Sequence, residues 1–235
     1  MALILKHMKT KFIYINLLIL IFIGSNHCLL GQPLSKGNIK TIINGRTWVP
    51  KTSIALGEQF FLERLDLKGS LLFKGTQFDN IIFAYDILTE EIITAIETSD
   101  KTKRNIIINP CFLEGFSVAD TPYEFNFLRG DLLHPKLNPD NYYQFVKFPN
   151  LRYVIKRKKY KVLKSDQSGK FKYAVANSLF LIKNNELIPL SRKGDILKIF
   201  PHKKKEMKRF IRSNKLKIGA KTPMDAVVLL SKFDL

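Results

Sequence analysis

The chain has little of the side-chain chemistry from which most catalytic and metal sites are built. Its 235 residues include two cysteines and four histidines. The sequence contains no Gly-x-Ser-x-Gly elbow, no Gly-rich phosphate loop and no dinucleotide fingerprint. Its histidines and its one mature cysteine lack the spacing of a zinc site. We therefore expect a non-enzymatic protein with no catalytic residue, no metal ligand and no cofactor.

Long apolar runs are also scarce, and the one present lies close to the N-terminus. Phe12–Ile23 is a run of twelve residues with one Asn, and it follows Lys6, Lys9 and Lys11. A membrane span needs about 20 apolar residues, whereas this shorter pattern is typical of a signal peptide. We expect cleavage after Gly31, export to the periplasm, outer membrane or exterior, and no transmembrane span afterwards. An uncleaved N-terminal anchor is the alternative.

Loss of the leader would remove Cys28 and leave Cys111 alone, so the sequence predicts no internal disulfide. A lone cysteine of this kind is expected to be a small buried apolar side chain rather than a nucleophile. His134 and His202 are expected to be solvated or structural, because neither has a nucleophile and an orienting acid beside it in the sequence.

Positive charge is concentrated in the second half of the chain. The whole chain has a formal net charge of +19. Residues 32–150 hold 13 Lys and Arg against 14 Asp and Glu, whereas residues 151–217 hold 21 against 4. A neutral half is therefore followed by a strongly basic half.

Turn signals recur every eight to twelve residues, with aromatic and β-branched runs between them. This pattern predicts an α+β, mainly β fold, in which a curved antiparallel meander sheet precedes two or three C-terminal helices. The basic runs Lys156–Leu163 and Lys170–Val175 are expected to continue the same sheet. The expected divisions of the chain are a signal peptide (1–31), an antiparallel β domain (32–190) and a basic helical segment packed on it (191–235).

Within this pattern, residues 69–93 are predicted to form two strands and two turns. The polar stretch Thr76–Asn80 is predicted to be the first turn, and Leu88–Glu91 the second. The helical segment is predicted to begin near Ser191 and again at Pro201 and Pro223, with Leu197, Phe200, Met207, Phe210, Ile211, Val228 and Leu229 facing the sheet.

The segments GTQFDNIIFAYDILTEEI and IKNNELIPLSRKGDILKIFPHKKKEMKRFIRSNKLK resemble a family of uncharacterised exported envelope proteins of gram-negative bacteria. Such proteins combine a signal peptide, a Tyr-Asp or Tyr-Asn strand between turns, a basic hairpin and a Lys-rich helix. The resemblance covers about three fifths of the mature chain. It implies export and a β-rich fold with C-terminal helices, and it carries no known active site.

The candidate binding residues all lie in the basic half. They are expected to contact an anionic surface or partner: anionic lipid, lipopolysaccharide phosphates or an acidic envelope component. Export disfavours nucleic acid, although lysines alternate with aromatic residues here as in single-strand binders. A solvated basic face without a specific ligand is the open alternative. The residues are Lys156, Arg157, Lys158, Lys159, Lys203, Lys204, Lys205, Lys208 and Arg209.

Two other functions stay open from the sequence. The first is a carrier that holds a lipid or other apolar ligand in the concave sheet, lined by Phe73, Phe83, Phe125 and Phe127. The second is a hydrolase that uses Asp86, Glu90 or Glu91. For these carboxylates, capping of a turn is the competing interpretation, because adjacent strand residues point to opposite faces.

Overall fold

The structure is a computed structural model that describes residues 45–49, 55–56, 58–97, 100–119, 124–163 and 170–233. Over these ranges the protein is mainly β, with one ten-stranded antiparallel sheet, one three-stranded sheet and four helices, most of them near the C-terminus. This confirms the predicted fold class. The predicted leader lies outside the described residues.

The strands follow one another along most of the described chain, and three of the four helices come after the last strand. They are β1 (Ala55–Leu56), β2 (Leu67–Phe73), β3 (Thr76–Asp86), β4 (Glu91–Glu97), β5 (Lys103–Ile107), β6 (Leu113–Val118), β7 (Phe125–Arg129), β8 (Tyr142–Lys147), β9 (Arg152–Lys156), β10 (Lys159–Leu163), β11 (Phe171–Val175), β12 (Ser178–Lys183) and β13 (Glu186–Leu190). The helices are α1 (Gly130–Leu133), α2 (Lys193–Ile199), α3 (Lys204–Ser213) and α4 (Pro223–Phe233).

The large sheet departs from a simple meander at one crossing. Its order is β13-β12-β9-β8-β7-β6-β2-β3-β4-β5, so β6 pairs with β2 although β5 precedes it in sequence. Residues 108–112 make the crossing. Ile108 N–H donates to the Ile92 carbonyl at 2.8 Å, and Lys74 N–H donates to the Phe112 carbonyl at 3.0 Å. These bonds satisfy backbone groups that the crossing would otherwise leave unpaired.

The basic strands β10 and β11 do not extend the large sheet, which corrects the prediction for Lys156–Leu163 and Lys170–Val175. They pair with each other and with β1, and β12 pairs directly with β9. Yet the register is continuous: Lys156 lies opposite Ser178, and Lys159 lies opposite Val175. One ribbon therefore runs through both sheets and bends at residues 157–158 and 176–177.

The first turn of the 69–93 segment lies earlier than predicted. Lys74 and Gly75 form it with φ of 51° and 71°, and β3 runs unbroken from Thr76. The polar stretch contains Asn80, at φ 58°, where the β2–β3 register shifts. A Cβ on nearby Gly69 would lie 1.8 Å from the Ser117 carbonyl oxygen, so only glycine fits this close strand approach. The polar residues mark a bulge, not a turn.

The predicted helix starts at Pro201 and Pro223 are confirmed, the first as a 3-10 turn that leads into α3. The start near Ser191 is displaced by one residue. Arg192 precedes α2, and the Asp195 carboxylate accepts the Ser191 and Arg192 N–H groups, each at 3.0 Å. A carboxylate in the first turn stabilises the helix end because it satisfies free N–H donors.

Two main groups of buried side chains hold the described core. Strand aromatics form the first, in which the rings of Phe116 and Phe127 stack 4.5 Å apart and Tyr85 packs edge-on at 5.0 Å from Phe116. The second joins β9 and β12 to all three C-terminal helices, so the helices pack on the sheet. Six of the seven residues predicted to face the sheet belong to this group: the buried Leu197, Met207, Ile211 and Leu229, and the partly buried Phe200 and Phe210. The prediction for Val228 is wrong, because its side chain is 48% exposed.

The lone cysteine also differs from expectation. Cys111 is exposed in the turn before β6, where its N–H donates to the Asn109 side chain at 3.0 Å. His134 is buried and structural: its Nδ1 accepts the Lys136 N–H at 3.1 Å, which leaves Nε2 to donate to the Asn185 carbonyl at 3.2 Å. His202 is exposed.

Candidate functional site

The cations predicted to bind an anionic surface fall into two groups that differ in exposure and in their contacts. The basic bend, Lys156–Lys159, lies where the ribbon passes from β9 to β10. The basic helix face comprises exposed cations of α3: Lys204, Lys205, Lys208, Arg209 and, in addition to the prediction, Arg212. Lys203 precedes α3 in the 3-10 turn.

Helix geometry places the basic helix face on one side of α3. At 3.6 residues per turn, its five cations fall within an arc of about 140°. Met207 and Ile211 lie elsewhere on the helix, at 0% and 6% exposure, and Phe210 packs edge-on against Phe233 with a centroid distance of 5.7 Å. The apolar side is thus occupied by the protein's own core, and the cations face solvent.

Local stability does not account for the two cations at the start of α3. Lys204 and Lys205 lie in the first turn of α3. The N-terminus of a helix carries partial positive charge, so cations there are unfavourable by about 0.3–1 kcal/mol each. Among the residues that the structure describes, none of the five cations forms an ion pair or a side-chain hydrogen bond. Their charge is available to an external partner.

Lys203 serves a different purpose. Its ammonium group donates to the carbonyl of Phe233 at 2.8 Å, at the C-terminal end of α4. A cation is favourable at that end of a helix, and this bond ties α4 to the start of α3. Lys203 is half-buried, so its role here is structural.

Three of the four cations in the basic bend are directed inward. Lys156 Nζ lies 2.5 Å from Glu90 Oε1, with both side chains under 20% exposed. Arg157 donates to Gln144 Oε1 through Nε at 2.9 Å and Nη2 at 2.6 Å. Lys159 Nζ donates to the carbonyls of Glu58 and Phe60 at 2.7 and 3.0 Å. Only Lys158 is fully exposed, so the bend contributes one free surface cation of the four predicted.

The Glu90–Lys156 pair lies at the centre of a small polar network. Glu90 Oε2 also accepts the Tyr85 hydroxyl at 2.9 Å and the Tyr142 N–H at 3.1 Å. Burial raises the pKa of Glu90 and lowers the pKa of Lys156, and in each case the opposite charge of the partner counteracts burial. The same burial, reinforced by Glu90, raises the pKa of Tyr85 far above its ordinary range. The network fixes the turn after β3 to the end of β9.

The neighbouring carboxylates cap turns. Asp86 Oδ1 accepts the Leu88 and Thr89 N–H groups at 2.9 and 3.3 Å, and Asp86 Oδ2 accepts the Gln59 amide. Burial raises the pKa of Asp86, against the effect of these donors. Glu91 pairs with Arg46 and accepts the Thr89 hydroxyl. These contacts support turn capping for Asp86 and give the hydrolase alternative no specific support.

The phenylalanines expected to line a carrier site are all buried. Phe73, Phe83, Phe125 and Phe127 are 2%, 1%, 7% and 1% exposed. Phe125 and Phe127 pack edge-on against Phe61 at 5.4 and 5.1 Å, so other side chains fill the space beside them. No observation favours the carrier alternative at this position.

The described ranges lack two features that would point directly to a function. They contain no group of three or more His, Cys, Asp or Glu side chains placed to hold a metal ion. No described helix combines the length and apolarity that crossing a bilayer requires. The chain matches no protein-family model, no curated protein and no solved structure.

Proposed function

We propose that the protein is an exported, non-enzymatic envelope module whose basic C-terminal half contacts an anionic surface. The basic helix face carries the proposal, because it presents five exposed cations that form no ion pair with the described residues, and two of them lie at the helix end where cations are unfavourable. Anionic lipid headgroups and lipopolysaccharide phosphates supply the complementary charge, since such surfaces attract nearby Lys and Arg with about 1 kcal/mol each. Export rests on the N-terminal pattern described above.

The mode of contact follows from the packing of α3. Its apolar stripe is buried in the protein core, so the helix contributes little apolar surface to insert between lipid tails. The contact is therefore electrostatic and peripheral. Such contacts weaken as salt is added, because the screening length falls from about 10 Å at 0.1 M to about 3 Å at 1 M.

Vesicle co-sedimentation tests the proposal. We expect the purified protein to bind vesicles containing phosphatidylglycerol or lipopolysaccharide, to bind pure phosphatidylcholine poorly, and to dissociate at high salt. Charge reversal of Lys204, Lys205 and Lys208 to Glu should weaken binding about a hundredfold, on the basis of about 1 kcal/mol for each lost contact.

The matched control reverses three exposed lysines of the neutral half, Lys68, Lys103 and Lys147, which changes net charge by the same amount. Equal loss of binding in both triple variants would show that net charge, not the helix face, governs the contact. Binding that persists unchanged at high salt would overturn the electrostatic mechanism altogether. N-terminal sequencing of the exported protein tests the leader, with Gln32 as the expected first residue.

A further inference from the structure

Arg157 is the one inward-directed cation of the basic bend that has no opposite charge nearby among the described residues. It is partly buried, and among the described residues no carboxylate lies within ion-pair distance. Its bonds go to the neutral amide of Gln144, which is 1% exposed, and its guanidinium lies 5.8 Å from the ring centroid of Phe61. A guanidinium has five N–H donors, and Gln144 uses two of them.

Burial without a counterion has a measurable electrostatic cost. It lowers the pKa of Arg157 to about 10, against the opposing influence of Tyr153 and Tyr85. Arginine remains a cation near neutral pH even so, and its desolvated charge is stabilised by any anion that reaches it. The protein holds a positive charge in place that its described residues do not balance.

A pocket of about 490 Å³ opens beside Arg157. This volume falls within the range of about 300–1,000 Å³ that is usual for small-molecule sites. Its apolar wall is formed by residues from five parts of the chain: Phe61, Leu62, Ile87, Phe125, Val175 and Met224. The apolar wall and the uncompensated cation face the same space.

The charged rim of the pocket is also biased toward cations. Lys158, Lys159 and Lys221 line it together with Arg157, against two acids, Glu63 and Asp225. Asp225 already accepts the Lys217 N–H at 2.6 Å. The first turn of α4 borders the pocket as well, and the partial charge of a helix start adds to the positive potential.

Two of the residues that line the pocket have strained backbone. Leu62 and Glu63 have φ of 54° and 58°, in the left-handed region that non-glycine residues rarely adopt. Such residues are strained, and they cluster at ligand-binding positions. Leu62 is also 40% exposed, so burial in the free protein does not repay the strain.

We propose that this pocket binds a small amphiphilic anion, whose carboxylate or phosphate head pairs with Arg157 and whose apolar chain lies along Phe61, Leu62 and Met224. The site differs from the basic helix face in residues and in ligand size. It also differs from the carrier site expected from the sequence, because only Phe125 is common to both.

Isothermal titration calorimetry on the purified protein tests this inference with four probes: octanoate, octyl phosphate, 1-octanol and inorganic phosphate. We expect at least one of the two amphiphilic anions to bind, and the preferred one identifies the head group. The loss of a charge-assisted contact is worth about 1.5–3 kcal/mol, so 1-octanol should bind at least tenfold more weakly. Inorganic phosphate should also bind more weakly, because it lacks the apolar chain.

Two variants locate the site. Arg157→Met removes the cation while it keeps the stem volume, and Val175→Glu places a carboxylate at a pocket-lining position that is 52% exposed and tolerant of change. Each should weaken binding of the preferred anion at least tenfold. Val228→Glu is the matched control, since Val228 is 48% exposed on α4 and does not line the pocket.

The result that overturns the proposal is equal affinity of the wild type and the Val175→Glu variant, or no binding of either amphiphilic anion. Affinity for 1-octanol equal to that for the anions would also overturn it. Reversal of Lys204, Lys205 and Lys208 should leave anion binding within about twofold, because no residue of the basic helix face lines the pocket. A negative result for the pocket therefore leaves the proposal for the basic helix face standing, and the reverse also holds.

Discussion

Two stretches are similarly basic in sequence, Lys156–Lys159 and Lys203–Arg209. Most cationic side chains of the first stretch are directed inward, whereas most of those in the second stretch face solvent. In the bend, Lys156, Arg157 and Lys159 find acceptors on distant strands and turns. On α3, Met207 and Ile211 are buried in the core, and the cations lie on the exposed side of the helix. Local charge density therefore does not reveal whether a cation serves the fold or a partner.

The reason lies in the backbone of each stretch. An α-helix separates its faces by its 3.6-residue period, so an apolar stripe assigns every cation to the outside. The basic bend lies between two sheets, where the side chains follow neither the helical nor the strand alternation. There the direction of each side chain depends on what the rest of the chain places beside it.

The largest effect on stability is expected when a cation is placed on the buried face of α3, and an apolar residue on the exposed face provides the comparison. Met207→Lys puts an unpaired charge at a position with 0% exposure, and we expect a loss of about 4 kcal/mol or more in the free energy of unfolding. Lys208→Met makes the reverse change on the exposed face and should alter stability by less than about 0.5 kcal/mol. Urea unfolding followed by circular dichroism measures both. Similar losses for the two variants would contradict the assigned faces.

Removal of an inward cation should come next. Lys156→Ala leaves Glu90 buried without its counterion, and breaking such a pair costs about 3 kcal/mol. The exposed neighbour provides the control: Lys158→Ala should cost less than about 0.5 kcal/mol. If urea midpoints fall equally for both, Lys156 is not the inward residue of the bend.

The pH dependence of stability should sharpen the contrast further. Glu90→Gln removes the charge that counteracts burial of Lys156, so the pKa of Lys156 should fall further below its ordinary value of 10.5. Between the lowered folded pKa and 10.5, the unfolded chain binds more protons at Lys156 than the folded chain does. Stability should then rise with pH in that window, more steeply than in the wild type.

Unfolding experiments from pH 7 to pH 10 measure this slope, and the readout is the difference between variant and wild type. Glu206→Gln on α3 is the matched control, because Glu206 is exposed and should leave the slope unchanged. A flat difference for Glu90→Gln would mean that Lys156 is not desolvated in the folded protein.

The smallest effect on stability is expected from charge reversal at the start of α3, where the direction of the change is more informative than its size. Reversal of Lys204 and Lys205 to Glu puts acids where the helix dipole favours them, so stability should rise by a few tenths of a kcal/mol. Vesicle binding should fall in the same variant. A loss of more than about 1 kcal/mol in thermal or urea unfolding would show that these lysines stabilise the fold.

Features set by local chemistry could be predicted from the sequence. The Asn184-Asn185 turn joins β12 to β13 with φ of 50° and 61°, and Pro201 and Pro223 begin helical segments as expected. The buried stripe of α3 followed from its periodicity. In each case a few neighbouring residues carry all the information that the local structure needs.

What could not be predicted depends on partners far away in sequence. Lys156 is directed inward because Glu90 lies beside it, and Glu90 belongs to a turn between strands at the other side of the sheet order. The placement of β6 beside β2 has no local signature. Gln144 was also missed in the sequence analysis, although a polar residue between Tyr143 and Phe145 in the middle of a strand is a signal of a buried hydrogen-bonding role.

The unbroken register of the ribbon limits how its length can vary. Lys156 faces Ser178 and Lys159 faces Val175, so both arms of the bend contain equal numbers of residues. One residue inserted into a single arm would turn every later side chain of β10 to the opposite face, including Lys159 away from the Glu58 and Phe60 carbonyls. Related sequences should therefore gain or lose residues at this bend in matched pairs, one on each arm.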